Sequence, residues 1–192
     1  MTGVKRTRRG VVVSFDEVEA SLLRHLVGEV RDLLSGDGQL PPPADRAGGL
    51  PTDAELSALT GMGGPEQGDG NTGTPADPAL ARLLPDAYRD DPGAAGEFRR
   101  LTEGSLRRDK VTAAERLLAA LPGEGPSEVR LDPETTEAWL ATINDVRLAL
   151  GTRLEVTEEM AEPDPEDPDA PAYVVYLWLT ELQGVLIEVA DD

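Results

Sequence analysis

The residues able to do chemistry are few and scattered. His25 is the single histidine and there is no cysteine, which excludes a thiolate nucleophile, a thiol-disulfide pair and any zinc site needing two histidines. A serine triad would have to use His25 as its base, and no G-x-S-x-G turn accompanies it. On the border of an apolar helix face, His25 reads as a partly buried structural side chain. Gly68-Asp69-Gly70-Asn71-Thr72-Gly73 matches the dinucleotide fingerprint as text. No strand precedes it and Thr74-Pro75 follows, so the strand-to-helix junction that would present backbone N–H groups to a pyrophosphate is missing. Neither Lys5 nor Lys110, the two lysines of the chain, follows a glycine run as a Walker loop requires.

Carboxylates are plentiful but unpatterned. Asp164, Glu166, Asp167 and Asp169 lie in a proline-spaced tract that lacks the glycine turn and closing glutamate of an EF-hand, and they read as a solvated linker. The polar group with the best catalytic prospects is Asn144, Asp145, Arg147 and Arg153, yet residues at the C-terminal end of a helix serve equally as surface and cap. The expectation is a non-enzymatic chain with no cofactor and no metal.

Binding is the better prospect, and two stretches offer it. Arg99, Arg100, Arg107, Arg108, Lys110 and Arg116 stand against Glu103, Asp109 and Glu115, a local excess of three positive charges on one long helix. Exposed, such a patch touches phosphate or an acidic partner; the structural alternative is a helix laced with pairs such as Glu103 with Arg107. No aromatic residues interleave with these bases as they do on platforms for single-stranded nucleic acid. The last helix, read as roughly Ala172 to Val189, carries more apolar surface than a solvent-facing helix needs. At helical spacing Val174, Val175, Trp178, Leu179, Leu182, Val185, Leu186 and Val189 form one core-facing arc, while Tyr173, Tyr176, Leu177 and Ile187 lie on the other side. Either this helix is central to the fold, or its second face meets another chain, including a second subunit in a homodimer.

Charge narrows the partners. The formal net charge is -19, which opposes direct nucleic-acid binding because the phosphate backbone rewards cationic surfaces. The imbalance is local: Glu155 to Asp192 holds twelve acids and no Lys or Arg, leaving 25 acids against 18 bases in the rest. The apolar run Val11 to Val13 is too short for a signal peptide's core, and no run approaches the ~20 residues expected of a membrane span. A cytoplasmic protein is expected.

The elements that must position these residues follow from caps and breakers. The 192 residues suffice for one domain with a sizeable core. Val11 to Phe15 reads as a strand; Asp16 with Glu19 opens a helix that ends near Gly36, with Leu22, Leu23, Leu26, Val27, Val30, Leu33 and Leu34 on one face. Residues 36–77 form a Gly/Pro-rich flexible insert holding a brief helix from Thr52 to Gly61. Asp77-Pro78 starts a short helix stopped at Pro85, and Asp91-Pro92 a longer one running to Leu121, whose apolar phase drifts around Gly104-Ser105. Ser127 to Leu131 reads as a second strand able to pair with the first. Asp132-Pro133 opens a helix through Trp139, Ile143, Val146 and Leu150, closed by Gly151; Arg153 to Val156 offers a third strand, before an acidic Pro-rich linker over 155–170. The fold expected is mainly α, a single-domain helical bundle of about five to six helices with a minor two- or three-stranded sheet.

Several stretches together resemble a known family: Asp77 to Asp91 (DPALARLLPDAYRDD), Phe98 to Lys110 (FRRLTEGSLRRDK), Ala138 to Leu154 (AWLATINDVRLALGTRL) and Tyr176 to Gln183 (YLWLTELQ). With the Val11 strand and first helix, they resemble an actinobacterial domain-of-unknown-function family whose genes tend to lie beside the Clp protease adaptor ClpS and cysteine-biosynthesis genes. That family includes an oxidative-stress transcription regulator. The resemblance implies gene control with RNA polymerase sigma factors or, by neighbourhood, a link to Clp components; it supplies no catalytic residues. Without cysteine, a thiol-disulfide sensor does not operate in this chain. The surfaces expected to meet a partner are Arg99, Arg100, Arg107, Arg108 and Lys110 on the long helix, and Tyr173, Tyr176 and Leu177 on the last.

Overall fold

The computed structural model describes residues 2–8, 10–36, 75–88, 91–121, 125–157 and 167–191. Strands β1 (Gly3–Thr7) and β2 (Gly10–Phe15) lead into helix α1 (Glu17–Ser35). Helices α2 (Pro78–Leu83) and α3 (Pro92–Ala120) follow, then strand β3 (Ser127–Leu131), helix α4 (Pro133–Arg153) and helix α5 (Ala170–Asp191). Five helices and one small sheet make the described fold mainly α.

Local chemistry sets most of the boundaries. At α1 the Asp16 carboxylate accepts from the Glu19 N–H at 2.9 Å, and Glu19 accepts from the Asp16 N–H at 2.9 Å, a reciprocal capping box; Gly36, at φ 73°, closes the other end. One device then recurs three times, an aspartate cap followed by proline. Asp77 accepts from Leu80 N–H, Asp91 from Gly93 and Ala94 N–H, and Asp132 from Thr135 N–H, while Pro78, Pro92 and Pro133 supply the fixed φ of a first helical residue.

The Glu19 amide holds the Asp16 carboxyl below its ordinary value. A lowered carboxyl pKa contributes stability that is present above the unfolded value and lost as pH falls through the folded one. Asp16→Ala is therefore expected to cost about 1 kcal/mol at neutral pH, the usual worth of such a cap. Thermal melts at descending pH should show the gap to wild type closing; a constant gap would contradict this account.

The sheet is antiparallel in the order β1-β2-β3, with Lys5 opposite Val12, Val13 opposite Val129 and Val11 opposite Leu131. Gly10 makes the close approach possible: at φ 125°, a Cβ there would lie 2.0 Å from the Leu131 carbonyl oxygen. Central β2 buries Val11, Val12, Val13 and Phe15. Its core partners are Leu23, Leu26 and Leu34 of α1, Leu117 of α3, Trp139, Ile143 and Leu150 of α4, and Leu179 and Leu186 of α5.

Three sequence expectations need correcting. The third strand is Gly3–Thr7, hidden behind the basic look of Lys5 and Arg6. It is not Arg153–Val156, because α4 runs past Gly151 to Arg153 and then turns, with Glu155 at φ 51° and Val156 N–H bonded to the Gly151 carbonyl. Gly151 does not close the helix; it seats a neighbour, since a Cβ there would lie 3.0 Å from the Tyr176 ring. On length and composition α5 does reach membrane-span dimensions, 21 residues from Ala170 to Ala190 at mean hydropathy 1.3. The brief helix expected from Thr52 to Gly61, the glycine motif at 68–73, and Asp164 and Glu166 lie outside the described residues.

Candidate functional site

Most of the long helix's bases are occupied within the fold. The Arg99 side chain is buried, 8% exposed, and its guanidinium grips the Asp86 carboxylate, with Glu103 at 3.5 Å. Arg107 donates to Glu103 at 2.8 Å and to the Leu34 carbonyl at the end of α1 at 3.0 Å. Lys110 Nζ lies 2.6 Å from Asp145 of α4, and Arg116 Nη1 2.9 Å from Glu134. Arg100 and Arg108 stand exposed, and among the described residues neither has an ion-pair partner. The bases thus tie α3 to the segment before it, to α1 and to α4, and leave two cations open.

The polar cluster of α4 diverges in the same way. Asp145 points to Lys110. Arg147 donates to Thr180 at 3.0 Å and to Gln183, both on α5, and its guanidinium carbon stands 5.5 Å above the Tyr176 ring. Arg153 reaches Asp77 at 2.9 Å. Asp145, Arg147 and Arg153 each bind a different element, so they share no point where a substrate could sit. Among the described residues no group of three acid or histidine side chains is placed to hold a metal ion. His25 is partly buried on α1.

Burial pushes the Asp145 carboxyl above its ordinary value, with Lys110 pulling the other way. With Asp145 only 5% exposed, this is a structural ion pair set between two helices.

Two exposed apolar surfaces remain. On the first half of α3, Phe98 (43% exposed), Leu101 (78%) and Leu106 (37%) face outward, and Tyr88 packs edge-on against Phe98 with ring centroids 5.9 Å apart. Beside them runs an open groove lined by Leu84, Pro85, Asp86, Phe98, Arg99 and Leu106. The drift of apolar phase near Gly104 is resolved here: Ala114, Leu117 and Leu121 enter the core, whereas Phe98, Leu101 and Leu106 stay outside it.

The second surface is the outer face of α5. Val175, Leu179, Leu182 and Leu186 are buried, so the core face is rotated toward Tyr176 relative to the arc expected from sequence. Val174, placed in that arc, is 63% exposed. Leu177 and Ile187 join it outside, at 43% and 44%, with Glu181 and Gly184 exposed between them and Glu188 exposed next to Ile187. Tyr173 and Tyr176 are only partly exposed and stack with ring centroids 6.1 Å apart.

Over residues 1–190 the chain matches the family model "Domain of unknown function (DUF2017)". The chain belongs to this family. The DUF2017 chain is 37% identical over 185 residues to the oxidative stress regulator AosR of Mycobacterium tuberculosis and to that of Mycobacterium bovis, covering 89% of this chain and 78% of each relative. No solved structure matches it. Both relatives thus carry a regulator's name.

Proposed function

We propose that this chain is a cytoplasmic, non-enzymatic regulatory protein that controls transcription by binding a protein partner, a sigma factor or another component of RNA polymerase, through the outer face of α5. The observation that carries the reading is Val174, Leu177 and Ile187 left outside the core on a helix whose interior face is already filled. Large apolar side chains in solvent at one site are a docking signature when charged residues border them. Here the border is acidic, Glu181 and Glu188, in a stretch with no Lys or Arg from 155 to 192. That face fits a partner whose apolar contact is rimmed by bases, and the acids would speed the encounter. The names of the relatives support a regulatory role.

Direct reading of DNA finds less support. Of the five long-helix bases expected to meet a partner, Arg99, Arg107 and Lys110 are held by acids of the fold. The chain has no cysteine, so its own response to oxidants has no thiol to start from, and regulation is assigned to the partner contact.

Leu177→Glu places a charge in the contact without touching the core. It is expected to weaken partner binding at least about tenfold, by the cost of a buried unpaired charge, while the circular dichroism spectrum stays unchanged. Tyr176→Glu is expected to lower stability instead, because that ring lies beneath Arg147 and against Gly151. Equal binding by wild type and Leu177→Glu would remove α5 from the interface.

A further inference from the structure

We infer that the first half of α3 is a self-association surface, on which a second copy of this chain docks antiparallel. Glu97, Leu101, Gly104 and Arg108 recur at spacings of four, three and four residues, so they form one stripe along the helix, and all four are exposed. Among the described residues Leu101 is the most exposed large apolar side chain, at 78%. Among the described residues neither Glu97 nor Arg108 has an ion-pair partner. Among the described residues no ion pair or close packing contact explains the order of these four.

A two-fold axis does explain it. In an isologous contact each residue meets the residue whose number completes a constant sum. Centring the axis between Thr102 and Glu103 sets Leu101 of one copy on Gly104 of the other, and Glu97 on Arg108; the symmetry repeats both contacts. Opposite charges then meet at both ends of the stripe, and each leucine enters the space left by a glycine. A glycine inside a helix costs about 1 kcal/mol relative to alanine. At Gly104 no backbone neighbour demands it, since a Cβ would meet only the flexible end of Arg108, 3.7 Å away. Close approach of a second helix gives this glycine a use. Phe98, exposed beside the stripe, widens the apolar contact.

The α5 face is a poorer seat for a second copy. Its exposed stripe, Val174, Leu177, Glu181, Gly184 and Glu188, contains two acids and no base, so no register of self-pairing gives the acids an opposite charge. The two surfaces therefore divide between a like copy at α3 and an unlike partner at α5.

The test is sedimentation velocity on the full chain from about 1 to about 100 μM, a range that reports dissociation constants of ordinary reversible dimers. Wild type is expected to move from monomer to dimer. Glu97→Arg and Arg108→Glu each create two like-charge contacts and are expected to weaken the dimer about tenfold or more. The double variant Glu97→Arg/Arg108→Glu restores opposite charges and is expected to dimerise again. All four positions are at the surface, so each variant should keep the wild-type circular dichroism. A wild type that stays monomeric throughout overturns the inference, as does a dimer that neither single reversal weakens, or a folded double variant that fails to recover.

Discussion

Trp139→Ala is expected to remove about 3–5 kcal/mol of folding stability, the usual result of truncating a fully buried tryptophan. Trp139 has no exposed surface and stacks on Phe15 at 6.0 Å, so it joins helix α4 to the central strand. For a chain of this size the loss corresponds to a fall in Tm of about 6–20 °C. It is a large share of the ~5–15 kcal/mol that folds a typical domain. Trp139→Phe should cost far less, because the indole N–H is buried without a hydrogen-bond acceptor and its loss strands no partner. Denaturant titration of the two variants separates the outcomes; equal, small losses would show that the sheet does not depend on this contact.

The second large effect belongs to the pair between α3 and α4. Lys110→Met keeps the aliphatic stem but leaves Asp145, 5% exposed, without its cation. Removing one member of a buried pair costs about 3–5 kcal/mol, and the partial exposure of Lys110 lowers the expectation to about 2–3. The pH dependence has a fixed sign. Burial raises the folded-state pKa of Asp145 above its ordinary 3.8, and a raised carboxyl pKa gives stability that is present below the unfolded value and lost as pH rises through the folded one. Protonating Asp145 relieves the variant, so its deficit against wild type should shrink on acidification into the carboxylate range. Lys110→Met/Asp145→Leu, which removes both charges, should recover most of the loss at neutral pH. A deficit that ignores pH would mean that Asp145 is not the group left unpaired.

The fold was legible wherever a local signal carried it. Asp16 with Glu19 and the three Asp-Pro starts mark helix beginnings by a chemistry that acts within four residues, and the structure places all four there. β3 was readable as a partner for β2, whereas β1 was not: Lys5 and Arg6 look like a basic tail. Their backbone still pairs with β2, and Arg6 donates to the Val189 and Ala190 carbonyls at the end of α5. Gly151 misled for a related reason. A glycine near a helix end resembles a cap, and only the Tyr176 ring from another helix reveals that it marks a close contact.

The candidate surfaces were half legible. Apolar excess on α5 could be counted from spacing, but which face it occupied depended on how Arg147 and Tyr176 seat the helix against α4, a long-range arrangement. The basic run on α3 was visible, yet its division into bound Arg99, Arg107 and Lys110 and open Arg100 and Arg108 depends on Asp86, Glu103 and Asp145. Two of those three acids lie outside the helix. The drift of apolar phase at Gly104 allowed a bend or burial on two sides, and neither reading placed Leu101 outward, where it stands 78% exposed.

The contact we propose is one between a face of α5 and a protein of the transcription apparatus. Its most direct test is affinity capture from native cell extract, with wild type and Leu177→Glu side by side and bound proteins identified by mass spectrometry. Wild type is expected to retain a sigma factor or polymerase subunits, and folded Leu177→Glu to lose them. Retention of those subunits by both proteins, or recovery of Clp components in their place, would contradict it.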